Sequence, residues 1–272
     1  MTTIHFIGAG PGAADLITVR GARLLAAADV VVYAGSLVDH ELVRTCAPAA
    51  EIHDSAGLTL GETTRLLAEA VAAGRRAVRL HTGDPSLYGA IQEQMQELDR
   101  LGIGYEMVPG VTSAFAAAAA LQQELTLPEV SQTVIVTRLA GRTPVPEREQ
   151  LHRIAHIGAT LVIYLSVGMI EDVIAQLLQG AYSAATPAAV VARASWPDQQ
   201  VVEGTLADIA GKVRAAGIDR QAVILVGDVL RARREGLAAV SRLYAADFTH
   251  GFRDQSAAGP VPGPRPPAPE SS

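Results

Sequence analysis

The stretch Ile4-His5-Phe6-Ile7-Gly8-Ala9-Gly10-Pro11-Gly12-Ala13 decides the fold. A short β-type run, Ile4 to Ile7, breaks into a loop of glycines and one proline, and a helical pattern follows from about Asp15 to Ala28. A strand that turns through glycine into a helix opens an α/β unit. The loop formally fits the dinucleotide pattern G-x-G-x-x-G/A, with Ala13 in the last place. Two details disfavour a nicotinamide cofactor and the oxidoreductase it would imply. Pro11 removes one of the amides that would cradle a pyrophosphate. The next strand pattern, Val30 to Tyr33, runs into Ala34 with no acid to take the ribose hydroxyls. What remains open is a loop whose backbone approaches some other ligand, or a tight turn with no ligand.

The same alternation continues outward. Thr59 and Glu62 form a capping-box pattern before Leu66, Leu67, Ala70 and Val71, and Gly74 ends that helix. Ala77 to Leu80 reads as a strand, Ile91 to Leu101 as a helix and Tyr105 to Val108 as a strand. Beyond a break near Leu125-Thr126-Leu127-Pro128, strand-like runs appear at Thr133–Thr137, Leu161–Leu165, Ala188–Ala192, Gln200–Thr205 and Val223–Val226. Between them Ile170, Val173, Ile174, Leu177 and Leu178 share one helical face. The expectation is an α/β protein of two α/β domains: 1–123 with a mostly parallel sheet and glycine-rich loops, and 129–247 with a mixed, more antiparallel sheet. Six of the 15 prolines fall between Pro260 and Pro269, so 254–272 is expected to be a disordered tail.

Composition narrows the function. With 49% hydrophobic and 18% charged residues among 272, the chain can bury a sizeable core. No apolar run reaches the roughly 18 residues of a membrane span, and the N-terminus lacks the pattern of a signal peptide. Cys46 is the single cysteine, so no internal disulfide forms; these features point to the cytoplasm. A net charge of −6 argues against a nucleic-acid partner. His152 and His156 have zinc-pair spacing but lack the following glutamate, so no metal is expected; a G-x-S-x-G nucleophile elbow is also missing.

Two further loops repeat the strand-then-glycine theme. His81-Thr82-Gly83-Asp84-Pro85-Ser86-Leu87-Tyr88-Gly89 lies just past a strand, where α/β ligands bind. Asp84 there either accepts hydrogen bonds from a ligand or caps a helix starting near Ser86. In the capping case asparagine would preserve the cap. Pro109-Gly110-Val111-Thr112-Ser113 offers a turn followed by two hydroxyls that cap a helix or face a ligand. Three such loops at three strand ends favour one shared crevice.

At these loops the chain resembles the tetrapyrrole methyltransferases of the cobalamin and siroheme pathways. The glycine-proline loop and the G-D-P loop are features of the whole superfamily. Val32–Val38, His81–Gly89, Glu124–Thr133, Thr137–Pro144 and Ala194–Pro197 are similar to the branch that methylates precorrin-4 at C11. The resemblance runs from about Ile4 to Leu230. It implies S-adenosylmethionine as methyl donor, a precorrin or cobalt-precorrin acceptor, a homodimer and no catalytic acid or base. The implied cofactor contacts are Pro11, Thr82, Gly83, Asp84, Leu87, Thr112 and Ser113 in the first domain, and Leu165, Ala194 and Ala222 in the second. At Thr112-Ser113 the branch often has two serines, and the hydroxyl is kept. The acceptor's carboxylates make Arg138 and Arg142, in the branch-specific loop, the candidates for holding it. Methylation at another ring position, or a tetrapyrrole carrier without methyl transfer, are the competing readings.

Overall fold

The computed structural model describes residues 3–35, 37–236 and 241. The expected disordered tail, and 237–240 and 242–247 of the expected second domain, lie outside the described residues. The first half runs β1 (Ile4–Gly8), α1 (Val19–Ala26), β2 (Val30–Tyr33), α2 (His40–Cys46), β3 (Glu51–Asp54), α3 (Leu60–Ala72), β4 (Ala77–His81), α4 (Ile91–Arg100), β5 (Tyr105–Val108) and α5 (Ser113–Leu121). Its five strands are parallel in the order β3-β2-β4-β1-β5. The second half runs β6 (Val134–Arg138), α6 (Leu151–Ile154), β7 (Thr160–Tyr164), α7 (Ile170–Leu177), β8 (Pro187–Ala192), β9 (Gln200–Thr205), α8 (Ile209–Ala215), β10 (Ala222–Val226) and α9 (Ala232–Glu235). Its sheet is mixed, ordered β6-β7-β10-β8-β9, with only β6 and β7 parallel. The α/β reading, parallel then mixed, holds.

Apolar side chains explain the layers. In β4, Val78 and Leu80 face a cluster with Leu25 of α1 and Leu42 and Val43 of α2. On the other face Ala77 joins Leu67 and Ala70 of α3 and Leu98 of α4. β1 and β4 are therefore neighbours whose following helices cover opposite faces. That is the switch point beyond whose carboxyl ends open α/β sheets bind ligands. Helix α5 leaves the first sheet altogether. Its Ala114, Ala116, Ala117 and Leu121 pack on Val162, Ala189, Val191, Val223 and Leu225 of the second sheet. The methyl side chains of that alanine run let a helix lie close against a sheet with little entropy lost.

Two expectations need correction. The helix expected from Asp15 to Ala28 is divided: a 3-10 turn covers Ala14–Leu16, Ile17 is extended, and α1 begins after Thr18. The Thr18 hydroxyl accepts from Gly21 N–H at 3.1 Å and so caps the helix there. The pattern also passed over α2 and β3. β3 is an edge strand, Glu-Ile-His-Asp, with no buried residue. Asp39 caps α2 through the Glu41 amide at 2.9 Å. The capping box at Thr59 and Glu62 is present as read.

The carboxyl ends of β1, β4 and β5 meet through glycine. A Cβ on Gly8 would sit 2.5 Å from the Gly83 carbonyl oxygen and 2.6 Å from Gly110 Cα. One on Gly110 would sit 2.8 Å from Gly8 Cα and would also strike the Gly83 carbonyl. Gly61, in the first turn of α3, has nothing within 4 Å of a Cβ. Gly110→Ala is therefore expected to destabilise the fold by about 1–3 kcal/mol through overpacking. Gly61→Ala should stabilise it by about 0.5–1 kcal/mol through the glycine entropy it removes from the helix. Urea denaturation midpoints moving in opposite directions would confirm this, and two equal midpoints would refute it.

Candidate active site

Hydrogen bonds weave the strand ends into one surface. Gly83 N–H donates to the Gly10 carbonyl at 2.8 Å, Gly10 N–H to Gly83 at 3.3 Å, and Ala9 N–H to His81 at 2.7 Å. Gly10 has φ 80°, and a Cβ there would lie 2.9 Å from the Leu16 carbonyl oxygen, so the backbone alone requires glycine. Asp84 spans two loops. One carboxylate oxygen accepts from the Ser86 amide at 2.8 Å and from the Ser86 hydroxyl, and the other accepts from Gly110 N–H at 2.9 Å. No helix starts at Ser86: the segment is a series of turns and α4 begins at Ile91. The capping reading of Asp84 is thus replaced by a strut between loops. Burial opposes its charge, but the bonds from Ser86 and Gly110 outweigh it and hold the carboxyl below its ordinary value.

The second sheet brings its own strand ends to this edge. Arg138 at the end of β6 lies opposite Tyr164 at the end of β7. Ala192 at the end of β8 lies opposite Ala222 at the start of β10. The two edges are bonded directly. Tyr164 Oη accepts from the Ala114 amide at 2.8 Å and shares a 2.6 Å hydrogen bond with Thr112 Oγ1. Thr112 stands at the cap position of α5 without a capping bond from its own side chain, so the tyrosine from the other half satisfies that helix end. Trp196 Nε1 donates to the Pro11 carbonyl at 2.9 Å, and Ala13 N–H to Ser195 Oγ at 3.0 Å. A side chain at Gly12 would collide with the Trp196 ring, while Arg193 lies 4.3 Å over that ring's centroid. Ser195 and Trp196 lie in the Ala194–Pro197 segment that the resemblance singled out, whereas Tyr164 and Arg193 carry no motif that would have done so.

The chain matches the model of the tetrapyrrole (corrin/porphyrin) methylases over residues 3–210. The chain belongs to the tetrapyrrole methylase family. A cobalt-precorrin-4 C(11)-methyltransferase of Methanocaldococcus jannaschii is 50% identical over 250 residues, 92% of this chain and 95% of that protein. A precorrin-4 C(11)-methyltransferase of Mycobacterium tuberculosis is 56% identical over 231 residues, 85% of this chain and 92% of its own length. Among solved structures, a cobalt precorrin-4 methyltransferase of cobalamin biosynthesis superimposes with TM-score 0.82 at 47% identity, covering 84% of this chain and 95% of that one. A uroporphyrin-III C-methyltransferase from Thermus thermophilus, complexed with S-adenosylhomocysteine, does so with TM-score 0.72 at 31% identity, covering 85% and 99%.

Pro11, Thr82, Gly83, Asp84, Leu87 and Thr112 lie on the three loops after β1, β4 and β5, and Ser113 is the first residue of α5. Gly83 packs on the third loop, where a Cβ would meet Thr112 Cα at 3.6 Å. Leu165 follows β7 with φ 53° and a 65% exposed side chain. Ala194 is buried on the α5 side of the second sheet, whereas the Ala222 methyl faces the opposite core. Arg138 is already committed: its guanidinium donates to the carbonyls of Leu139, Thr143 and Pro144 at 3.3, 3.1 and 2.7 Å, so it folds its own loop. Arg142 on that loop is exposed and has no partner among the described residues. His152 lies in α6 and His156 in the 3-10 turn that directly follows it. At the carboxyl end of β4, burial and the Arg79 charge lower the His81 pKa to about 3, leaving a neutral ring at neutral pH.

Acid sensitivity follows. Both groups titrate below their ordinary values, so their contribution is present at neutral pH and lost as pH falls. The loss from His81 begins below 6.5, and that from Asp84 below 3.8. Asp84→Asn offers an amide where Gly110 or Ser86 needs an acceptor. It should cost about 1–3 kcal/mol at neutral pH, contrary to the expectation that asparagine preserves a cap. It should also flatten only the lower part of the stability profile. Melting temperatures from pH 7 to 3 test this, and an unchanged profile in the variant would contradict the strut.

Proposed function

We propose that this chain transfers the methyl group of S-adenosylmethionine to C11 of precorrin-4 or cobalt-precorrin-4, a step in making the corrin ring of cobalamin. The observation that supports this most is the meeting of two sets of strand ends, β1, β4 and β5 against β6, β7 and β8, at the C11-branch segments His81–Gly89, Thr137–Pro144 and Ala194–Pro197. The 50% and 56% identical relatives carry that activity in their names. In this reading 1–123 and 129–247 act as the two domains and the donor lies between them. Thr82 and Ser113 have hydroxyls without hydrogen-bond partners among the described residues, Thr82 just past β4 and Ser113 at the first position of α5. Gly83, whose backbone amide and carbonyl both bond Gly10, has no side chain to keep the donor away. Pro11, Asp84 and Thr112 are spoken for by protein bonds and shape the surface rather than project into it. Leu87 and the exposed Leu165 supply apolar contact, while Ala194 and Ala222 act through their backbones.

When bound, the donor supplies an electrophilic methyl on a sulfonium, and the bond forms at the ring carbon as the methyl–sulfur bond breaks. The protein's task is alignment in a dry junction, since a misplacement of about 1 Å can cost roughly 100-fold. A neutral, buried His81 and the lack of an acid–base pair in the described loops suit a displacement that needs neither. Arg142 is assigned to an acceptor carboxylate. The family resemblance also implies a homodimer.

Carbon NMR of product made with methyl-labelled donor should place the label at C11; a label on another ring carbon would reject the assignment. Arg142→Ala should raise the acceptor's KM about tenfold, the worth of one charge-assisted hydrogen bond, and leave donor affinity unchanged. Wild-type kinetics would remove Arg142 from the site.

A further inference from the structure

We infer that Tyr88 is a substrate-positioning residue whose ring forms the aromatic wall of the acceptor side of the cleft. This rests on the reading of the junction as a tetrapyrrole methylation site. Aromatic residues make up only 4% of the chain, so one left 45% exposed beside the junction calls for a reason. Its backbone gives a second. Tyr88 has φ 56° and Ala90, two residues on, has φ 47°, both in the left-handed region that bulky L-residues avoid. Such conformations persist where the surroundings enforce them, and they gather at ligand sites. Here the enforcement is visible: Gly89 lies so close to the Pro85 carbonyl that a Cβ there would collide with it. The loop that carries Asp84 thus turns tightly and projects the Tyr88 ring out of its own fold.

The ring leans toward Tyr164, centroids 5.6 Å apart and planes tilted by 51°. That is the same Tyr164 that caps α5, so both halves of the chain hold this aromatic pair. Burial raises the Tyr88 pKa, opposed by the nearby Arg138 charge, so the phenol is neutral at neutral pH. Its hydroxyl has no hydrogen-bond partner among the described residues. A half-exposed ring, packed against Tyr164 beside Arg138 and the Arg142 loop, suits the flat conjugated part of a carboxylate-bearing macrocycle. The ring takes the flat face and the arginine an edge.

The test compares three variants. Tyr88→Phe keeps the ring, whereas Tyr88→Gly removes it and suits the left-handed backbone. Tyr88→Asn, which also tolerates that backbone, serves if the glycine variant folds poorly. Loss of the ring is expected to raise the acceptor's KM about tenfold, with S-adenosylhomocysteine affinity by calorimetry unchanged and the melting temperature of Tyr88→Gly equal to or above wild type. Tyr88→Phe should restore wild-type KM. A purely structural ring would instead lower the melting temperature and leave the KM alone. That result, or a wild-type KM in the glycine or asparagine variant, overturns the proposal. If the wild-type label appears at a carbon other than C11, the reading of the reaction fails while the Tyr88 comparison still decides its role with that acceptor.

Discussion

Three glycine backbones in mutual contact, Gly8, Gly83 and Gly110, fix the rest of this architecture. They stand at the ends of β1, β4 and β5, and their contact leaves no room for a methyl group on Gly8 or Gly110. Because the loops touch, Asp84 can reach from one to the next and bond the Gly110 amide. Because that amide is held, the chain leaves β5 in a set direction and α5 starts where it must. The close approach is a backbone property, which is why this edge consists of carbonyls, amides and small hydroxyls rather than a charged catalytic pair.

From there the second half is placed by two devices. The alanine face of α5 packs on the second sheet and brings apolar burial. Tyr164 then satisfies the α5 terminus, and the tryptophan turn after β8 bonds the glycine-proline loop. The packing is non-directional, whereas the hydrogen bonds set the register of one edge against the other. A methyl transfer that depends on alignment needs both: a dry contact and a fixed angle between the surface that holds the donor and the one that holds the acceptor.

Much of this was legible in the sequence because its causes are local. The period-2 and period-3.6 runs, the Thr59–Glu62 box and the glycines after strands all encode their structure within a few residues. β3 and α2 were not legible, since an exposed edge strand has no apolar alternation and α2 is only seven residues long. The Asp15–Ala28 pattern hid a break because apolar periodicity runs across Ile17 while the cap is made by Thr18. The site divided in the same way. The loops were visible, but the use of Asp84 as a strut, of Arg138 as its own loop's clasp and of Tyr164 as a distant cap depends on partners 26, 5–6 and 50 positions away. No local pattern carries that information.

If both halves of the chain close on one donor molecule, hydrogen–deuterium exchange with and without S-adenosylhomocysteine will show it, amide by amide and without an acceptor. Added protection is expected at 82–87 and 110–114 together with 164–166 and 193–196, on both sides of the junction. Protection confined to the first-half loops, or lying away from all four segments, would contradict it.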